Sequence, residues 1–143
     1  MKFSRKIFAI TATLTLLTLL AMPNLAAPPG FTSLLATARG QGTLTVGNEV
    51  FKISNVVVKL KEGGSGEITL VTDIQLFVTC IWSATDDLSK GIDLKITGGI
   101  NEGSAHGSGK LFLRPDAKSI ANLSIEGMSN TRKRKIQINF VAE

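Results

Sequence analysis

The sequence predicts an all-β protein: about eight antiparallel strands in a meander, forming a small closed or nearly closed barrel, with a two-sheet sandwich as the alternative arrangement. Three observations carry this expectation. Apolar and polar residues alternate with period two in segment after segment. Short clusters of Gly, Asn, Asp and Ser separate the segments, as expected for hairpin turns. A Gly-x-Gly sequence also recurs with the same downstream spacing of core positions, which marks a duplicated strand unit.

The chain of 143 residues is of single-domain size. Residues 1–27 have the plan of a secretory signal peptide: a positive head (Lys2, Arg5, Lys6), an apolar run from Ile7 to Met22, then Pro23 and small residues ending at Ala26 and Ala27. The apolar run is shorter than the roughly 20 residues of a membrane span, so no transmembrane anchor is expected after cleavage. No cysteine lies near the cleavage point to be acylated. The expected location is therefore secreted or periplasmic. The formal net charge of +5 includes the three positives of this segment, and the remainder carries only +2. The high pI of about 9.6 is thus a weak pointer to a polyanionic partner.

Residues 28–38 read as a linker or a short helix, because Phe31, Leu34, Leu35 and Ala38 recur at helical spacing. The barrel is expected over residues 39–143. In order, the strand candidates are TLTV, EVFKISNVVVKLK, EITLV, DIQLFVTCIWS, GIDLKIT, GKLFLR, KSIANLSIEG and RKIQINFV. Their alternation predicts an inward set of Leu44, Val46, Val56, Val58, Ile68, Leu70, Leu76, Val78, Leu94, Ile96, Leu111, Leu113, Ile136 and Ile138. In the fourth segment Ile74, Cys80 and Trp82 share the inward face. These medium-sized aliphatic residues predict a packed interior. At this level the architecture resembles lipocalin-like barrels, but the Gly-x-Trp of their first strand is absent and the single Trp82 lies in mid-chain.

The repeat spans roughly residues 38–71 and 105–141. An offset of 67 pairs Gly40 with Gly107, Gly42 with Gly109, Leu44 with Leu111, Ile53 with Ile120 and Asn55 with Asn122. Within each copy the inward face changes parity at the same place: Ile53 gives way to Val56, and Ile120 to Leu123. A pleated strand cannot switch faces without an irregularity. A β-bulge is therefore expected at Ser54-Asn55 and at Ala121-Asn122. The glycines read as strand bends rather than phosphate loops, since strands and not helices follow them.

No constellation points to catalysis, and the protein is expected not to be an enzyme. A triad would have to use His106, the single histidine, and no strand-to-helix G-x-S-x-G is present. An exported hydrolase acting through His106 is the least supported reading. No cofactor or metal is expected. Asn101, Glu102 and His106 in the loop GGINEGSAHGSG are candidate loop contacts, but one His and one Glu fall short of a zinc site. The adjacent Asp86 and Asp87 point apart and do not form a calcium loop. Arg132, Lys133, Arg134 and Lys135 form a basic run that suits a weak contact with an anionic lipid or polysaccharide. Without Tyr or a nearby Trp to stack bases, nucleic acid is not expected.

Phe77 and Ile81 face away from the predicted core, as does Phe112, so an outer apolar patch is expected. That patch suits a second copy of the chain or another protein. Asn122 sits in a formal glycosylation sequon but also at the expected bulge, which favours a structural role. Cys80, the single cysteine, reads as a buried hydrophobe. The sequence favours a non-catalytic structural or interaction module. A binding protein holding a small apolar or amphiphilic ligand inside the barrel is the alternative.

Overall fold

A computed structural model describes residues 32–83 and 87–143. The signal-peptide segment and Asp86 fall outside the described residues. Eight strands follow in order: β1 (Leu34–Val46), β2 (Glu49–Leu60), β3 (Ser65–Val71), β4 (Gln75–Trp82), β5 (Ile92–Gly99), β6 (Ser104–Leu113), β7 (Ile120–Ser129) and β8 (Lys135–Ala142). A short 3-10 turn, Leu88–Lys90, precedes β5. Each strand pairs antiparallel with the next, and β8 pairs back onto β1, with Leu44 opposite Ile138, so the sheet closes into a barrel. Short connections permit only this antiparallel meander, because parallel neighbours need long crossovers.

Every one of the fourteen predicted inward residues is buried, and they belong to one continuous apolar cluster. Phe140, Leu60, Ile92, Ile120 and Ile125 join them. Trp82 closes one mouth, its indole N–H donating to Lys61 O at 2.9 Å. The outer wall carries exposed Lys52, Lys59, Lys95, Lys110, Glu126 and Asn139. A lipid-spanning barrel has the opposite arrangement, apolar outside and polar inside, so this wall faces water. Among the described residues, no helix is long and apolar enough to cross a membrane.

Three local expectations are corrected. The helical spacing in residues 28–38 does not yield a helix from Leu34 onward. Leu34 and Ala36 point inward and Leu35 and Thr37 outward, in a strand paired with β2 from Leu34↔Leu60 to Arg39↔Asn55. A two-turn helix has a costly nucleus, whereas this edge gains a ladder of hydrogen bonds and buries two side chains. Ile74 is exposed rather than inward, because it lies in the turn before β4, where Thr72 N–H donates to Ile74 O. The face switch occurs where expected in both β2 and β7. In β7 the surplus residue is Ala121, between the pairs Phe112↔Asn122 and Leu113↔Ile120. At the first site the surplus lies on the opposing strand, where Gly40 and Gln41 of β1 face Ser54 alone.

The paired glycines perform one task at both places. A Cβ on Gly42 would stand 2.2 Å from Asn139 O, and one on Gly109 would stand 2.2 Å from Ser124 O. Gly40 and Gly107 are equally tight, against Val141 O and Glu126 O. Neighbouring backbones therefore approach where inward side chains are missing, which allows the coiling that barrel closure requires. The neighbours differ: Gly40 and Gly42 meet β8, the closing strand, whereas Gly107 and Gly109 meet β7. Gly42→Val and Gly109→Val should each destabilise the fold by at least about 3 kcal/mol in urea unfolding. Gly63→Ala, at φ +96 with open space around it, should cost only about 1–2 kcal/mol.

Candidate functional site

In an eight-stranded meander the connections alternate between the two mouths. The turns at residues 47–48, 72–74, 100–103 and 130–134 therefore share one mouth. This brings the candidate loop residues and the basic run together, although they are about 30 residues apart in the chain.

The β5–β6 turn sets the geometry. Glu102 N–H donates to Gly99 O at 3.0 Å, and the central residues Ile100 and Asn101 have φ of +58 and +56. Both values belong to a type I′ hairpin turn. Asn tolerates this region, but a β-branched Ile is strained there. Ile100 is held by burial in the mouth and by its N–H, which donates to Phe77 O at 2.8 Å. The same turn directs Glu102 inward, where its side chain is 2% exposed.

Glu102 accepts from Arg134 through Nη2 at 2.7 Å and Nε at 3.4 Å. Arg132 Nη1 stands 3.6 Å from the same carboxylate. Buried Ser129 donates its hydroxyl to Glu102 and accepts from Arg134 N–H at 2.9 Å. Arg134 in turn packs over Gly47, at φ +60, and its Nη1 lies 3.9 Å from Glu49. The Arg134 hydrogen bond, aided by Ser129 and Arg132, holds the Glu102 carboxyl below the ordinary glutamate range. The cluster is a clasp across three hairpin turns. It engages both arginines of the basic run, while Lys133 and Lys135 make no ion pair among the described residues. Asn101 shares the type I′ turn. His106 faces elsewhere: its Nδ1 hydrogen-bonds to Asn130 Oδ1, and Asn130 Nδ2 donates to Ser104 Oγ. Ser129 is the residue that sequence reasoning missed, and strand counting was the signal that could have placed it beside Glu102.

The outer apolar candidates lie on β4 and β6. Phe77 is 47% and Ile81 53% exposed. Phe112 is half-buried because its ring lies against Gly91, where an added Cβ would come within 3.0 Å of it. Ile81 and Phe112 flank a groove of about 650 Å³ in the outer wall, crossed by polar rows. One row runs Ile81↔Lys95↔Ser108↔Glu126 and the next Asp93↔Lys110↔Ser124. Lys110 pairs with Asp93 at 2.7 Å, while Lys95 and Glu126 carry no ion pair among the described residues. Phe77 lies on the same wall, further along β4. Asp87 caps the 3-10 turn by accepting from Ser89 N–H and Oγ.

Among the described residues no three of His, Cys, Asp and Glu converge as metal ligands. Cys80 is buried, and burial pushes its thiol up to about 11. No protein-family model, curated protein or solved structure matches this chain.

Two outcomes follow from this geometry. Glu102→Gln should lose roughly 1–3 kcal/mol at neutral pH, since a charge-assisted pair is replaced. A carboxylate with a lowered folded pKa contributes fully above its unfolded value, about 4.3, and loses that contribution as pH falls through the folded value. The stability gap between the native protein and Glu102→Gln should therefore close on acidification below about pH 4, as read by urea unfolding at stepped pH. Cys80 should resist a thiol reagent at pH 8 in the native state and react once the chain is unfolded.

Proposed function

We propose that this protein is an exported, non-catalytic interaction module that binds another protein, or a second copy of itself, through the outer wall of its barrel. One observation carries the reading most strongly. Aliphatic side chains from all eight strands fill the inside, while Ile81 and Phe112 flank a concave groove on the outside. An exposed Ile81 and a half-buried Phe112, rimmed by uncommitted charges, fit a protein contact surface, with burial supplying affinity and Lys95 and Glu126 supplying register. The alternative of an apolar ligand inside the barrel is less supported, because Leu44, Val56, Ile68, Leu70, Val78 and Leu111 already occupy that space without exposure. The basic run supports at most a weak anionic contact, as Glu102 already engages Arg132 and Arg134.

Light scattering after gel filtration tests the self-association form of this reading. The expected result is a dimer that Ile81→Asp or Phe77→Asp converts to monomer, with folding stability changed by less than about 0.5 kcal/mol. A dimer untouched by both changes would place the interface elsewhere. A stoichiometric small molecule found by native mass spectrometry would shift the site to the interior.

A further inference from the structure

The outer wall carries a pair of side chains that neither the clasp nor the groove uses. His106 of β6 and Met128 of β7 stand directly opposite each other in the sheet, and both are exposed. They are the one imidazole and the one thioether among the described residues. Directly opposed residues carry their Cβ atoms about 5 Å apart.

Three local features shape this pair. The first is a bulge. Ile96↔Gly107 and Gly98↔Ser104 are consecutive pairs, so Ala105 and His106 together face Thr97. Bulges re-aim the side chains they carry, and here Ala105 is buried while His106 turns outward. The second is a close approach of backbones. A Cβ on Gly127 would stand 2.6 Å from His106 O, and one on Gly107 would clash with Gly127 Cα. The two strands are thus drawn together immediately beside the pair. The third is the anchoring of the ring. Asn130 N–H donates to Ser104 O at 3.0 Å, and Asn130 Nδ2 donates to Ser104 Oγ at 3.1 Å. Both bonds hold the amide with its Oδ1 toward His106 Nδ1. Nδ1 therefore carries the proton, and Nε2 keeps its lone pair at the free end of the ring. A metal-ligating imidazole commonly has its other nitrogen tied to a fixed oxygen in this way.

We propose that His106 Nε2 and Met128 Sδ bind one soft monovalent cation, of the class of Cu(I) and Ag(I). A thioether selects soft cations of this kind over hard ones. Two ligands suffice for such ions, which accept linear coordination, whereas zinc takes three or four protein ligands. The ring is fixed, and the unbranched Met128 chain can adjust its sulfur to an ion held there. The surrounding charges cancel. Glu126 precedes Met128 by two residues and stands diagonal to His106, while Lys135 faces Met128 from β8. The other neighbours of His106 on its face, Thr97, Ser104 and Ser108, are neutral. A single charge is therefore admitted without a cluster of carboxylates. Cys80, the remaining soft group among the described residues, is buried on the inner face of β4 and takes no part.

Side-chain NMR of the isotopically labelled protein with Ag(I), the redox-inert counterpart of Cu(I), tests the proposal. At pH 8, where an ordinary imidazole is neutral, the free His106 ring should be the tautomer protonated at Nδ1. The Nε2–H tautomer would overturn the site. One equivalent of Ag(I) should shift His106 Nε2 and the Met128 methyl together. Zn(II) should bind at least tenfold more weakly and leave the Met128 methyl in place. His106→Gln and Met128→Leu should each weaken Ag(I) binding at least tenfold, with the melting temperature nearly unchanged because both positions are exposed. Asn130→Ala should weaken binding about tenfold, and Asn130→Asp, which still accepts from Nδ1–H, should keep it. Cys80→Ala should leave both shifts intact. A shift of His106 without Met128, full binding by Met128→Leu, equal affinity for Zn(II), or Ag(I) bound first at Cys80 would each overturn the proposal.

Discussion

The close approach of backbones at Gly40, Gly42, Gly107 and Gly109 is the constraint on which the rest of the structure depends. An eight-stranded sheet can close only if its strands tilt and coil, and the coil concentrates where neighbouring peptide groups come nearer than any Cβ allows. At Gly40 and Gly42 the approach is to β8, so the first Gly-x-Gly forms part of the seam that closes the barrel. At Gly107 and Gly109 it bends the far wall. The outer groove beside Gly109 and a second one beside Gly42 lie over these bends. The feature that shapes the interior thus also sculpts the exterior.

The two mouths are finished differently. At one, Glu102, Ser129, Arg134 and Arg132 join three hairpin turns, and Ile100 accepts a strained backbone to plug the opening. Burying the carboxylate is tolerable because guanidinium and hydroxyl donors replace its water. At the other mouth Trp82 is anchored to Lys61, and Glu143 N–H donates to Arg39 O across the seam. Arg39 pairs with the Glu143 carboxylate there, and Arg114 donates to Glu143 O.

A filled interior turns attention outward. Small barrels either pack their centre or hold one ligand there, and the continuous aliphatic cluster here favours the first. With the core given over to packing, the uncommitted side chains that face solvent, Lys95 and Glu126 among them, lie on the outer wall. Function must be argued from such sites, because a barrel fold hosts many activities.

Period-two alternation and the spacing of glycines are local properties. They were enough to specify eight strands, the inward set from Leu44 to Ile138, and the change of face after Ile53 and Ile120. The tertiary structure alone decided what depends on partners distant in the chain. LLATA satisfies a helical and a strand pattern at once, and only pairing with Val56–Leu60 made it a strand. Ile74 continues the alternation of β4, yet the turn places it in solvent. The extra residue of the first irregularity sits on β1 rather than β2 because register is a property of two strands, not of one. The glycine-rich loop and the basic run could be read separately, but their union at Glu102 and Arg134 required barrel closure. Side-chain periodicity reports which face a residue takes, whereas contacts between turns arise only when the sheet has curled.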